Sequence, residues 1–253
     1  MPAARLTQGT LFETLVAPTG ARSTSTQTTQ VPLQPAGYSP AQGSLVDRPP
    51  AVIAPGPEND YAGIDNLDDL ARHVLKCRRC ELRDGCRGVV FGEGTPKATL
   101  MLVGEGPGAV EDEMGRPFVG PAGKLLDKIL AAAGFAREEV YIANIVKCRP
   151  PGNRLPTPQE AARCLPNLRA QIRIIHPRII VCLGALATQT LVDRSARITA
   201  SRGTWFDRGG IRILPTFHPA ALLRDETKKK PVWEDFKKVR SEYDSVPGAA
   251  GGA

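Results

Sequence analysis

Residues 99–108 read Thr-Leu-Met-Leu-Val-Gly-Glu-Gly-Pro-Gly and join a short apolar run to a glycine-rich turn. Such a run, bounded by glycines, is typical of a buried strand followed by a tight turn. Further apolar runs occur downstream and alternate with segments of helical periodicity. This alternation predicts βαβ units, and therefore a parallel sheet with helices on both faces.

The predicted elements follow each other between residues 99 and 243. Strands are predicted at Thr99–Val103, Val140–Val146, Arg178–Leu183, Gly203–Asp207 and Ile211–Thr216, and helices at Ala122–Ala133, Pro158–Ile174 and Val232–Tyr243. Ligands of open parallel sheets bind beyond the carboxyl ends of the strands. The segments that begin there, and are therefore candidates for a functional site, are Gly104–Gly108, Asn144–Asn153 and His218–Arg224.

The composition predicts one folded domain between two tails. The chain has 253 residues, of which 42% are hydrophobic, enough for one core. From Gly20 to Gly63 it is rich in small and polar residues, and from Pro247 onward it is nearly all Gly and Ala. Such segments cannot bury enough apolar surface to fold. We expect disordered tails at 1–63 and 246–253 and a domain at 64–245.

The charge is concentrated in the predicted domain. The first 70 residues hold 3 of the 33 Lys/Arg and 7 of the 26 Asp/Glu, which leaves 30 basic against 19 acidic side chains, a net charge of +11. This surplus favours a polyanionic partner, although a soluble basic surface explains it equally well. No signal peptide or membrane-spanning run is visible, so we expect no membrane association and a cytoplasmic location.

Four of the six cysteines have a spacing that suits ligation of a metal or cluster. Cys77 and Cys80 form a Cys-Arg-Arg-Cys pair, and Cys148 and Cys164 stand downstream on either side of a proline-rich loop. A Cys₄ set suits Zn²⁺ or a [4Fe–4S] cluster, and spacing alone does not separate them. Cys86 is a weaker ligand candidate. Cys182 lies in a predicted strand and is expected to pack in the core.

Several motifs occur together, in order, between Cys77 and about Tyr243. They are Gly-Glu-Gly-Pro-Gly (104–108), Gly-Arg-Pro-Phe-Val-Gly-Pro-Ala-Gly (115–123), Asn-Ile-Val-Lys-Cys-Arg-Pro-Pro (144–151) and His-Pro-Ala-Ala-Leu-Leu-Arg (218–224). In this combination the chain resembles the family 4 uracil-DNA glycosylases. The resemblance implies an α/β fold, a three-layer α/β/α sandwich with a central, mainly parallel four-stranded sheet. It also implies action on uracil-containing DNA and a structural [4Fe–4S] cluster on Cys77, Cys80, Cys148 and Cys164. We further expect a monomer that is associated with the nucleoid.

The resemblance assigns the uracil pocket. An extruded base needs a stacking surface and a partner for its hydrogen-bonding edge. Phe118 is expected to stack on uracil and Asn144 to read it, because a side-chain amide can face the donor–acceptor edge of uracil. Cytosine presents the opposite pattern at that edge. The backbone of the turn, with Gly104, Gly106, Pro107 and Gly108, is expected to leave room around the base.

Three side chains are candidates for the chemistry. Cleavage leaves negative charge on the uracil ring, so a neutral His218 is expected to donate a hydrogen bond to it. An Asp that orients water in better-known relatives is replaced here by Gly106. The available carboxylates are Glu105, expected to orient water or shape the pocket, and Glu111, expected to organise the loop.

The segment after His218 is expected to enter the DNA. Leu222 or Leu223 would fill the vacated position in the base stack as an apolar wedge. Arg224 would contact a phosphate. By resemblance, Asn153 belongs to the active site.

The amino-terminal residues Gln8-Gly-Thr-Leu-Phe12 resemble the peptide by which bacterial repair proteins dock on the replication sliding clamp. Two other function classes remain open at this stage. One is a redox or electron-transfer protein that uses the cluster. The other is a non-catalytic nucleic-acid-binding module with structural zinc.

Overall fold

A computed structural model of the chain describes residues 61–248. Most of the two predicted tails, including the segment Gln8–Phe12, lies outside the described residues. Tyr61 is only 6% exposed, and its hydroxyl donates a hydrogen bond to Asn167 Oδ1 (2.6 Å). The folded domain therefore already includes Tyr61, three residues before the expected boundary.

The central sheet has six strands, with the spatial order β1-β3-β2-β4-β6-β5. They are β1 (Glu93–Gly94), β2 (Leu100–Gly104), β3 (Tyr141–Asn144), β4 (Ile179–Leu183), β5 (Phe206–Arg208) and β6 (Ile211–Thr216). The four central strands are parallel, and the short edge strands β1 and β5 pair antiparallel. The α/β fold is thus confirmed, but the expected number of four strands is wrong. Strand β1 is too short to produce a periodic signal in the sequence.

Helices cover both faces of the sheet. They are α1 (Leu67–Val74), α2 (Ala109–Met114), α3 (Pro121–Ala132), α4 (Pro158–Ile175), α5 (Ala185–Leu191), α6 (Ile198–Ser201), α7 (Pro219–Arg224) and α8 (Lys229–Ser245). Alternate residues of the buried strands point to opposite faces. Met101 and Val103 join a core with α1, α4 and α5, whereas Leu100 and Leu102 join a core with α3, α7 and α8. This is the three-layer arrangement.

Local signals set the ends of helix α4. The hydroxyl of Thr157 accepts a hydrogen bond from the N–H of Glu160, and the Glu160 carboxylate accepts one from the N–H of Thr157. Pro158 occupies the first helical position, where its missing N–H is not needed. The helix ends at Ile175, and the next residue, His176, has a φ of +53°. This helix carries Cys164 and so fixes one of the candidate ligands.

The Cys77–Cys80 pair does not lie on a helix. Helix α1 ends at Val74, and the pair occupies the loop before a short 3₁₀ helix at Glu81–Arg83. A loop leaves both thiols able to turn toward the sheet. None of the described helices is both long and apolar enough to cross a bilayer.

Candidate active site

A cavity of about 720 Å³ lies beyond the carboxyl ends of the parallel strands. Its walls come from the three segments 105–111, 150–156 and 217–224, together with Phe118, Asn144 and Gly184. The structure therefore brings together the segments that follow β2, β3 and β6.

Asn144 ends β3 and presents an unsatisfied amide oxygen in this cavity. The residue is only 2% exposed, and its Oδ1 has no hydrogen-bond partner among residues 61–248. Buried polar atoms are rarely left unpaired, because desolvation of such an atom costs about 1–3 kcal/mol. Gly104 lies opposite in the sheet register, and a Cβ at this position would stand 2.5 Å from Asn144 Oδ1. The arrangement suits a donor on a bound ligand.

Phe118 forms a second wall beside Asn144. It is 5% exposed, and its ring stacks on that of His218 with 5.5 Å between centroids and 29° between planes. Its backbone has a φ of +51°, which is rare for a bulky residue. Gly123 on α3 accommodates this conformation, because a Cβ there would lie 1.9 Å from the Phe118 carbonyl oxygen. The position of the Phe118 ring thus depends on a glycine in the neighbouring helix.

The structure determines which nitrogen of His218 carries the proton. His218 Nδ1 accepts a hydrogen bond from the N–H of Ala220 (3.1 Å), so a neutral ring carries its proton on Nε2. Burial lowers the pKa of His218 to about 4, assisted by Arg224 and opposed by Glu111. The imidazole is therefore neutral at physiological pH and offers Nε2–H as a donor.

Glu105 is a partly buried carboxylate next to His218. Burial raises its pKa above the ordinary value, although backbone N–H groups at the start of α5 act in the opposite direction. The N–H of Leu186 donates to Glu105 Oε1 (3.0 Å). A Cβ on Gly184 would lie 2.5 Å from Glu105 Oε1 and 3.2 Å from His218 Cβ. Gly184 therefore permits the close approach of these two side chains.

Glu111 accepts hydrogen bonds from three backbone N–H groups. They belong to Gly108 (3.2 Å), Val119 (3.0 Å) and Gly120 (2.8 Å). The carboxylate joins the glycine-rich turn to the segment that carries Phe118. Gly106 and Pro107, in the same turn, also line the cavity, and a Cβ on Gly106 would approach Val146 Cγ2 to 2.8 Å. These contacts fix the shape of the cavity wall.

The two leucines of helix α7 have different environments. Leu222 is 1% exposed and packs in the core with α3 and α8, so of the two wedge candidates Leu223 is the one at the surface. Leu223 is 51% exposed and lines the cavity rim, as does Arg224. Helical geometry turns adjacent residues about 100° apart, and the sequence alone did not show which one faces inward.

Other rim residues differ in how visible they were in the sequence. Asn153 lines the cavity and has a φ of +56°, and its Oδ1 accepts a hydrogen bond from Arg149 Nε (2.7 Å). Sequence reasoning missed Leu155, 63% exposed at the rim, and Gly184. The position of Gly184 directly after a buried strand was a usable signal. Leu155 gave none.

Four cysteines line a second, much smaller cavity of about 10 Å³. They are Cys77, Cys80, Cys148 and Cys164. Burial raises the pKa of Cys80, Cys148 and Cys164, and neighbouring thiols add to the effect at Cys148. No three His, Cys, Asp or Glu side chains within residues 61–248 converge as a site for a metal ion.

The other two cysteines stand apart from this cavity lining. The thiol of Cys86 donates to the carbonyl of Gly88 (3.2 Å) and lies beside Cys148. Cys182 is fully buried in β4, which confirms that it belongs to the core.

Comparisons with known proteins agree on one family. A family model described as the uracil DNA glycosylase superfamily matches residues 91–237. A type-4 uracil-DNA glycosylase of Thermotoga maritima is 46% identical over 72% of this chain and 96% of its own. One from Archaeoglobus fulgidus is 41% identical over 70% and 92%, respectively. A type-5 uracil-DNA glycosylase of Pyrobaculum aerophilum is 29% identical over 61% of this chain and 83% of its own.

Proposed function

Because the chain belongs to the type-4 branch of the uracil-DNA glycosylase superfamily, we propose that it is a monofunctional uracil-DNA glycosylase. It hydrolyses the N-glycosidic bond of uracil in DNA and leaves an abasic site, the first step of base-excision repair. No lysine among the described residues lines the cavity, which agrees with hydrolysis rather than with an imine intermediate.

The unpaired Oδ1 of Asn144 is the observation that carries this proposal. Uracil offers an N3–H donor beside the O4 acceptor, so the Asn144 amide can accept from N3–H and donate to O4. Cytosine presents an acceptor at N3 and an amino donor beside it, and would leave Asn144 Oδ1 facing an acceptor. A site built for a buried hydrogen bond rejects a ligand that leaves it unmade. The side chain thus selects uracil over cytosine.

Phe118 and His218 act on the same base. The flipped uracil stacks on Phe118, and stacking of this kind contributes about 1–3 kcal/mol per base. When the bond between C1′ and N1 breaks, its electron pair stays with uracil and negative charge develops on O2. The Nε2–H of neutral His218 donates to this oxygen. The interaction strengthens only as charge appears, so it stabilises the transition state more than the substrate.

Glu105 completes the hydrolysis. A water molecule attacks C1′ and must be held on the face opposite the departing base. The Glu105 carboxylate can accept a hydrogen bond from this water and then take its proton, and its raised pKa makes it a better base. Glu111 is committed to three backbone N–H groups and organises the turn. Leu223 enters the base stack and Arg224 binds a phosphate at the rim.

Cys77, Cys80, Cys148 and Cys164 would hold the [4Fe–4S] cluster. The fit rests on the donor set, because four thiols from three distant segments of the chain meet at one small, largely apolar cavity. The cluster serves as a scaffold. It ties the loop after Asn144 to α4.

Two properties outside the cavity complete the proposal. The enzyme acts as a cytoplasmic, nucleoid-associated monomer. The segment Gln8–Phe12 docks on the replication sliding clamp and raises the local concentration of enzyme at DNA. Loss of clamp binding in a Leu11→Ala/Phe12→Ala variant, with uracil release unchanged, is the expected result; clamp binding equal to wild type would contradict docking.

Release of free uracil from a defined oligonucleotide tests the main function. Wild type should release uracil, and His218→Ala should lower the single-turnover rate about 10²–10³-fold, as for the loss of one donor to a developing oxyanion. His73→Ala is the matched control, because His73 is exposed on α1 and its ring lies 2.8 Å from the Asp69 carbonyl, outside the cavity lining. A wild-type protein without uracil release would overturn the proposal. Glu105→Gln at the full wild-type rate would remove Glu105 from the mechanism.

A further inference from the structure

We propose that Asn167 is a positioning residue for Cys164, and that it raises the reduction potential of the cluster that this thiolate helps to hold. The inference rests on the [4Fe–4S] assignment above. Its basis is a chain of hydrogen bonds that begins at Arg79, passes through Tyr61 and Asn167, and ends on a cysteine sulfur.

Asn167 is buried beside Cys164 on helix α4. It is 1% exposed, and its Nδ2 donates to Cys164 Sγ at 3.4 Å. The two residues are three positions apart and therefore share a helix face. The backbone N–H of Lys147 also donates to Cys164 Sγ, at 3.3 Å. This sulfur is thus held by two N–H donors inside the protein.

The orientation of the Asn167 amide is enforced from its other side. Tyr61 Oη donates to Asn167 Oδ1 at 2.6 Å, so the oxygen faces Tyr61 and the amino group faces the sulfur. Arg79 Nη2 donates to Tyr61 Oη at 3.0 Å, and the guanidinium stands 5.0 Å from the centre of the Tyr61 ring. A flipped amide would place its amino group against the tyrosine hydroxyl and its oxygen against sulfur. That arrangement would set two acceptors, the amide oxygen and the thiolate, against each other and leave the tyrosine hydroxyl hydrogen without Oδ1 as its acceptor.

All three hydrogen bonds in this chain run in one direction. The guanidinium donates to the hydroxyl, the hydroxyl to the amide and the amide to the sulfur, so each bond polarises the next. The positive end lies at Arg79, and the negative end at the Cys164 thiolate. Hydrogen bonds to cluster sulfurs withdraw electron density and favour the more reduced state, which raises the potential.

Through Arg79, this series of hydrogen bonds connects separate parts of the fold. Arg79 lies between Cys77 and Cys80 in the sequence and lines the same small cavity as Asn167. The hydrogen-bonded chain therefore connects the loop of the first cysteine pair to the helix that carries Cys164. Tyr61 joins the two as a buried link.

Redox titration and resonance Raman spectroscopy of the cluster-loaded full-length protein test the role. Asn167→Leu removes the donor with little change in volume and should lower the reduction potential and shift the Fe–S(Cys) stretching band. Tyr61→Phe keeps the ring and removes only the hydroxyl, so it should give a smaller shift of the same sign. Thr188→Val is the matched control, since it removes a buried hydroxyl that bonds to the Gly184 carbonyl and should leave the potential unchanged.

The outcomes separate this role from the proposed function. A potential equal to wild type in both Asn167→Leu and Tyr61→Phe would overturn the role, as would an equal shift in Thr188→Val. If Asn167→Leu does not retain iron, Tyr61→Phe decides: a lowered potential supports the role and an unchanged one refutes it. A wild type without iron or visible absorbance overturns the cluster and this role together, while uracil release from the same preparation tests the enzyme activity independently.

Discussion

The substitution Gly104→Ala adds one methyl group and should disrupt uracil recognition, although it changes no polar side chain. A Cβ at this position would lie 2.5 Å from Asn144 Oδ1 and 2.5 Å from Phe118 Cζ. Both atoms belong to the walls of the base pocket. Relief of the overlap to an ordinary contact of 3.4 Å requires a displacement of about 0.9 Å.

The size of the effect follows from this displacement. Misplacement of a positioning group by about 1 Å costs about 10²-fold in rate, or about 3 kcal/mol of transition-state stabilisation. Overpacking a buried site also costs about 1–3 kcal/mol of folding free energy. We therefore expect Gly104→Ala to fold with a lowered Tm and to release uracil about 10²-fold more slowly in single turnover.

The control is Gly85→Ala, because a Cβ on Gly85 would meet no atom within 4 Å in the described part of the chain. This variant should match wild type in stability and rate. Single-turnover uracil release at saturating enzyme, measured well below the Tm of each variant, separates loss of chemistry from loss of folded protein. A Gly104→Ala enzyme with the wild-type rate would refute the assignment of Asn144 and Phe118 as the base pocket.

Three further predictions concern neighbouring residues. Leu222→Ala should lower the free energy of unfolding by about 2–5 kcal/mol, because Leu222 is buried. Leu223→Ala should change the free energy of unfolding by less than about 0.5 kcal/mol, because Leu223 is exposed. It should instead slow uracil release, and more so from duplex than from single-stranded DNA. Urea denaturation and the two rates check both, and equal effects of the two substitutions would contradict the assignment. Glu111→Gln should lower the free energy of unfolding by about 1–3 kcal/mol, since one amide oxygen cannot replace a carboxylate that accepts three N–H groups; an unchanged Tm would argue against it. The pKa of His218 is lowered from 6.5 to about 4 in the folded protein. Between these two pH values, the imidazole is therefore protonated in the unfolded chain and neutral in the folded protein. Stability should therefore fall by up to about 3 kcal/mol as pH drops from 6.5 to 4, and this share of the pH dependence should be missing in His218→Gln when denaturation midpoints are compared.

Parts of the site could be predicted from the sequence because they depend on short, local sequence patterns. The glycine-rich turn after Val103 follows an apolar run, and the carboxyl end of a parallel strand is where a ligand site is expected. The end of helix α4 at Ile175 was predicted within one residue. Roles that depend on neighbours distant in sequence were not visible. Leu222 and Leu223 are adjacent and identical, and only the position of α7 against α3 and α8 buries the first and exposes the second.

The sequence by itself determined the α/β class, the order of the longer strands and helices, and the residue types available for ligation and catalysis, because these follow from periodicity, glycine placement and side-chain chemistry. Tertiary structure alone decided the rest. It set the six-stranded sheet, the proton position on His218, the unpaired oxygen of Asn144 and the hydrogen-bond chain from Arg79 to Cys164. Each of these depends on distances between atoms that are far apart along the chain, and such distances are fixed only when the sheet and its two helical layers pack together.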